Sequence, residues 1–266
     1  MKTGITQLVM RKDGERMNIK DCLKFCKDAG YEAIELTIAD DSELNVDTPD
    51  SQLKDWKSMA DDMGIEICSL VSGGRAGTLI NPDEAENKAA QEKTLRVLET
   101  AAKMGAPDVL IVLGAVTEQL PYDVAYDTAL KTLQTMKPAI EKIGVNFDVE
   151  YVWGKFLVSP LEMRDFLDKV GSKNIGFYFD NGNMMLIGFA EQWARIVAKH
   201  VNMVHVKDFV RKEYKFVPLT EGDTNWPLLL STLRDIGYDG PLVSEVGGEL
   251  DDHRKTAETI RKIMEM

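Results

Sequence analysis

Short apolar or alternating segments recur along the chain, each followed by a longer stretch with helical spacing and a polar face. The periodicity predicts strands at residues 4–8, 33–37, 66–70, 109–113, 146–151, 176–180, 203–206 and 242–246. It predicts helices at 19–29, 51–63, 82–104, 123–143, 160–170, 189–199, 226–236 and 252–264. Gly30, Gly64, Gly105, Gly144, Gly171 and Gly237 each follow a helical run, where a left-handed terminus favours glycine. Asn81 before Pro82 and Ser159 before Pro160 read as capping residues followed by first-turn prolines. Eight βα units without a linker or composition break predict one α/β domain over residues 1–266, a closed (β/α)8 TIM barrel. An open sheet covered on both faces shares this pattern.

Composition narrows the class further. At 44% hydrophobic and 29% charged residues, the chain is ordinary for a globular protein, which excludes disordered and fibrous classes. Its longest apolar runs, such as residues 109–113, have the length of buried strands, far below the roughly 20 residues of a membrane span. No membrane partner is expected. The segment Met1-Lys2-Thr3-Gly4-Ile5 shows no apolar signal region, so the cytoplasm is the expected compartment. A net charge of −12 repels a phosphate backbone, and nucleic acid is not an expected partner. The odd set Cys22, Cys26 and Cys68 argues against a disulfide framework. Cys22 and Cys26 lie four apart on a predicted helix, but two sulfurs do not complete a tetrahedral metal site, and both are expected to be buried as small apolar residues.

In a (β/α)8 barrel the chemistry gathers at the C-terminal ends of the strands. Four consecutive predicted strands close there on Glu150, Asp180, His205 and Glu245. Any one of these has a structural explanation, as a helix cap, an ion-pair partner or a core histidine. Together they converge on one axial point, where three carboxylates repel unless a cation offsets the cost. Oxygen-rich ligation with one imidazole suits Mn2+ or Mg2+, with Co2+ or Zn2+ as replacements.

The runs Gly176-Phe177-Tyr178-Phe179-Asp180-Asn181-Gly182-Asn183, His205-Val206-Lys207-Asp208 and Val217-Pro218-Leu219-Thr220-Glu221-Gly222-Asp223 carry a resemblance, together with the segment from Ile236 to Glu245. They resemble the xylose isomerase-like barrel superfamily, and more narrowly the sugar phosphate isomerase/epimerase group with its L-ribulose-5-phosphate 3-epimerases and D-tagatose 3-epimerases. The resemblance implies that Glu150, Asp180, His205 and Glu245 ligate one metal ion and that Glu150 and Glu245 are the acid/base pair. It implies a small sugar or sugar phosphate as substrate, and a homo-oligomer, dimer or tetramer. Asn183, Lys207, Arg211 and Glu35 are candidate substrate contacts, against alternatives as a turn residue, a partner of Asp208, a solvated loop and a barrel ion pair. Phe156 departs from the second glutamate that ketose 3-epimerases resemble one another in having, six residues after the first. The glycine-rich loop 71–78, with Arg75, could cradle a phosphate or serve as an ordinary loop.

Endonuclease IV shares the superfamily but needs many histidines for its zinc cluster, whereas this chain has three, His200, His205 and His253. A metal-dependent lyase or dehydratase acting on an inosose or 3-oxo sugar is the main alternative, since it also begins by enolising a carbonyl. A non-catalytic sugar-binding protein is the second.

Overall fold

Eight parallel strands close on themselves: β1 (Lys2–Thr6), β2 (Ala33–Ile38), β3 (Glu66–Ser72), β4 (Asp108–Ile111), β5 (Asn146–Glu150), β6 (Ile175–Asp180), β7 (Val201–Val206) and β8 (Pro241–Ser244). Each pairs with its sequence neighbours, and β8 pairs with β1 to complete the ring. The structure, a computed structural model, describes residues 1–72 and 79–266. The glycine-rich loop 71–78, a candidate phosphate cradle or an ordinary loop, lies outside the described residues from position 73 to 78, Arg75 included.

Helices α1 (Ile19–Ala29), α2 (Asp50–Met63), α3 (Glu84–Met104), α4 (Tyr122–Ile143), α5 (Pro160–Val170), α6 (Ala190–Val197), α7 (Trp226–Asp235) and α8 (Leu250–Met264) follow the strands in turn. The amphipathic pattern explains why they pack there. In α1 the residues Ile19, Cys22, Leu23, Phe25 and Cys26 are all buried, while Asn18 caps the first turn by accepting from the Asp21 N–H. Fully burying side chains such as Leu23 and Phe25 stabilises the fold by about 1.5–3 kcal/mol each. The helix stops at Gly30, whose φ of 78° is left-handed and free of strain only for glycine. Cys22, Cys26 and Cys68 are free thiols buried in the packing.

Several boundaries differ from the sequence pattern. The α3 N-cap is Asp83, which accepts from the N–H groups of Ala85 and Glu86, so Pro82 precedes the helix instead of opening it. Ser159 and Pro160 do open α5 as the sequence implies. Two antiparallel hairpins, Arg11–Lys12 with Glu15–Arg16 and Asp208–Val210 with Lys215–Val217, decorate the C-terminal side of the barrel, together with a helical turn at Asn181–Met184. Among the described residues, no helix is long and apolar enough to cross a membrane.

Two register shifts interrupt the barrel ladder. Between β2 and β3 the pairing moves from Ile34↔Ile67 to Glu35↔Ser69, and between β6 and β7 it moves from Phe177↔Val201 to Tyr178↔Met203. Side chains alternate along a strand, so one extra residue transfers every later side chain to the other face. The second shift sets Asp180 opposite His205.

Candidate metal centre

At the C-terminal mouth, the β5, β6 and β7 strands and the residue just past β8 bring Glu150, Asp180, His205 and Glu245 together. One potential ligand atom from each lies within 4.8 Å of all the others. The His205 ring sets the geometry: its Nδ1 faces Glu245 Oε2 at 3.3 Å, Asp180 Oδ2 at 3.7 Å and Glu150 Oε1 at 3.9 Å. Its Nε2 donates to Glu35 Oε1 at 3.0 Å on the opposite side. His205 Nδ1 is buried without a hydrogen-bond partner. An orphaned imidazole nitrogen facing three carboxylates is a donor set that fits a divalent cation.

The electrostatics agree. Burial pushes the Glu150 carboxyl up to about 7, with Asp180 and Glu245 adding to the rise against the opposing His205 ring. Burial also opposes ionisation of Glu245, but the His205 ring and the Lys207 ammonium hold its carboxyl down at about 2. For His205, burial disfavours the charged ring, yet Glu35 and the three carboxylates facing Nδ1 push its pKa well above the ordinary imidazole value. The site therefore attracts positive charge strongly. Part of that charge comes from the chain itself, because Lys207 Nζ lies 2.9 Å from Asp180 Oδ2 and 2.6 Å from Glu245 Oε2.

Each further sequence candidate has a definite place. Asn183 donates from Nδ2 to Glu150 Oε1 at 3.2 Å and to the Tyr151 carbonyl at 3.1 Å, which fixes the Glu150 carboxylate. Lys207 is steered by Asn181, whose side chain accepts from the Lys207 N–H and donates to its carbonyl. The neighbour Asp208 is not its partner. Asp208 is fully buried and accepts from the N–H groups of Phe209, Thr220 and Thr224 and from Trp226 Nε1. Arg211, a candidate for substrate contact or for a solvated loop, donates to the carbonyls of Met185 and Gly188 and stacks over Phe189. Glu35 is fully buried and accepts from His205 Nε2, so it supports that ring from behind. Phe156 is buried against Tyr122.

Other groups had no local sequence signal. Ser69 Oγ donates to Glu35 Oε2 at 2.8 Å and lies 3.2 Å from the Tyr178 hydroxyl, while the Tyr178 ring packs 4.5 Å from the His205 ring. Beside the ligand cluster, Lys207, Phe216, Val217, Pro218, Glu245, Val246 and Gly247 line a cavity of about 450 Å³.

Comparison with known proteins shows the family. The chain is 22% identical over 254 residues to a ketose 3-epimerase of Arthrobacter globiformis, covering 92% of this chain and 83% of that one. It is 25% identical over 243 residues to the L-ribulose-5-phosphate 3-epimerase UlaE of Escherichia coli O1:K1, covering 85% and 81% respectively. The crystal structure of the IOLI protein with a bound zinc atom superposes with a TM-score of 0.79 at 18% identity, over 99% of this chain and 98% of that one. The family model described as xylose isomerase-like TIM barrel matches residues 23–265, and the chain belongs to that family.

Proposed function

We propose that the protein is a divalent-metal-dependent isomerase or epimerase of a small sugar or sugar phosphate. The observation that carries this reading is the convergence of Glu150, Asp180, Glu245 and the unpartnered His205 Nδ1 within 4.8 Å. These four residues would hold the ion, Mn2+ in the first place, with Mg2+, Co2+ or Zn2+ as replacements. When bound, the cation supplies Lewis-acid polarisation of the substrate carbonyl. The similarity to a ketose 3-epimerase and a ribulose-phosphate epimerase supports the reaction class, and the zinc of the IOLI protein supports a metal on this fold.

The chain's own residues then move the proton. Glu150 and Glu245 sit on β5 and just past β8, on either side of the Asp180–His205 pair, so the two carboxylates flank whatever lies between them. One removes the proton next to the carbonyl and the other returns it. Return to the opposite face inverts the carbon, and return to the adjacent carbon exchanges aldose for ketose. Asn183 holds the Glu150 carboxylate in place, and the Lys207 ammonium stands where a developing oxyanion needs a counter-charge.

The test is proton exchange in D2O with a panel of pentuloses, hexuloses and their phosphates. The Mn2+-loaded protein exchanges one substrate hydrogen without loss of water, a chelator removes the activity, and added Mn2+ restores it. Full activity in metal-free protein overturns the reading, whereas a dehydrated product redirects it to elimination.

A further inference from the structure

Lys207 is built into the ligand cluster. Asn181, just past β6, accepts from the Lys207 N–H and donates to its carbonyl, which fixes the backbone just past β7. The side-chain stem runs over Gly182, where a Cβ would stand 3.0 Å from both Lys207 Cβ and Lys207 Cγ. Phe216, on the hairpin Asp208–Val210/Lys215–Val217, flanks the stem with its ring centre 5.1 Å from the ammonium. An ammonium has three donors, and three acceptors lie within reach: Glu245 Oε2 at 2.6 Å, Asp180 Oδ2 at 2.9 Å and Asn183 Oδ1 at 3.4 Å. Asp180 and Glu245 belong to the ligand cluster, and Asn183 is the residue that fixes Glu150.

Two of those acceptors are also the oxygens that face His205 Nδ1, at 3.3 Å for Glu245 and 3.7 Å for Asp180. They are therefore claimed twice, by the ammonium and by a divalent ion held together with that nitrogen. Lys207 acts on such an ion in two opposing ways. Holding two carboxylates in place favours binding, and partners that orient ligands typically contribute about 10- to 100-fold. Its charge disfavours binding, since two unit charges about 4 Å apart interact on the order of 10³-fold at an effective dielectric near 20, and the ion carries twice that charge. Repulsion outweighs orientation. The lysine stem is flexible, and it already lines the cavity of about 450 Å³ shared with Phe216, Val217 and Pro218, so rotation about its bonds takes the ammonium off the carboxylates into that space.

We infer that Lys207 is a displaceable counter-cation: a divalent ion takes Asp180 Oδ2 and Glu245 Oε2 from it, and the released ammonium turns into the cavity to face the substrate. Metal loading and the placing of the substrate's counter-charge are then a single event, with weaker metal binding as its consequence. The inference rests on the reading of the four residues as metal ligands, and the outcomes below separate the two.

Mn2+ affinity is measured by calorimetry for the parent, for Lys207→Gln, which keeps N–H donors without the charge, and for Lys207→Arg, which keeps the charge. Lys207→Gln is expected to bind Mn2+ roughly tenfold or more tightly than the parent, and Lys207→Arg to stay within about threefold of it. A Lys207→Gln protein that binds no more tightly, or equal tightening in Lys207→Arg, overturns the inference and leaves the metal site standing. Failure of all three proteins to bind Mn2+, Mg2+, Co2+ or Zn2+ removes the metal reading and this inference with it. The parent is also tested by itself, through 15N NMR of its lysine Nζ groups during titration with diamagnetic Zn2+, which requires no variant to fold. Hydrogen exchange between the Lys207 ammonium and water is expected to be roughly tenfold or more faster at saturating Zn2+ than without it. An exchange rate that Zn2+ leaves unchanged refutes the displacement.

Discussion

Glu35 and His205, 170 positions apart in the chain, meet inside the barrel with Oε1 and Nε2 separated by 3.0 Å. A carboxylate only accepts, so His205 carries a proton on Nε2, and Nδ1 is the nitrogen presented to Glu150, Asp180 and Glu245. Glu35 is held in turn by Ser69, which the register shift between β2 and β3 sets directly opposite it. Burial opposes ionisation of Glu35, but the His205 ring holds its pKa below the usual carboxylate range.

Glu35→Gln removes the negative charge and the obligate acceptor. Partners of this kind typically contribute 10- to 100-fold in metal affinity, and a weakening of that size in Mn2+ binding is expected by calorimetry. Unchanged affinity would mean that packing against Tyr178 orients the ring unaided.

Glu150→Gln and Glu245→Gln each keep an oxygen that can ligate but remove a base. Turnover is expected to fall roughly 10²-fold or more in each while the metal stays bound. Metal content is measured beside the rate, and near-normal turnover in both variants would pass the proton to another group, with Lys207 the first to examine.

Asp148, two residues before Glu150 on β5, gives a pH-dependent prediction. Its carboxyl is fully buried and accepts from Asn202 Nδ2 at 2.7 Å, and its Oδ2 has no hydrogen-bond donor. Burial first, then the neighbouring Asp108, push its pKa well above the ordinary value. The folded chain thus keeps a proton that the unfolded chain has released above about pH 4. The associated stability is full below that point and drains as pH rises toward the folded pKa, by up to about 1.4 kcal/mol per pH unit. Asparagine accepts from Asn202 as well and does not titrate, so Asp148→Asn should gain stability relative to the parent between pH 5 and pH 8 in urea unfolding. A gap that stays constant or narrows over that range would contradict the assignment.

Gly176 shows how tightly the second register shift is packed. A Cβ there would stand 2.2 Å from Asn202 Nδ2 and 2.8 Å from the His200 carbonyl oxygen. Gly176→Ala must displace the Asn202–Asp148 hydrogen bond or the backbone, and overpacking of this kind typically costs about 1–3 kcal/mol. A loss of that size is expected in the midpoint of urea unfolding, and a variant as stable as the parent would show that the strand gives way freely.

The eight βα units and the strand ends at Glu150, Asp180, His205 and Glu245 were legible in the chain because strand alternation and helical periodicity are local properties. A polar residue closing an apolar strand announces itself whatever its partners are. The tasks of Glu35, Lys207 and Arg211 were not legible, since each side chain had several polar neighbours within reach and only the assembled barrel selects one. Arg211 finds its acceptors in the segment 185–188, more than twenty residues back, and Glu35 finds His205 across the barrel axis. The hairpin with Phe216 escaped the pattern because its strands are three residues each, too short for a period to show. What only the tertiary structure decided is the register. The single-residue shifts that set Ser69 opposite Glu35 and Asp180 opposite His205 depend on backbone pairing between strands, for which the sequence of either strand alone holds no signal.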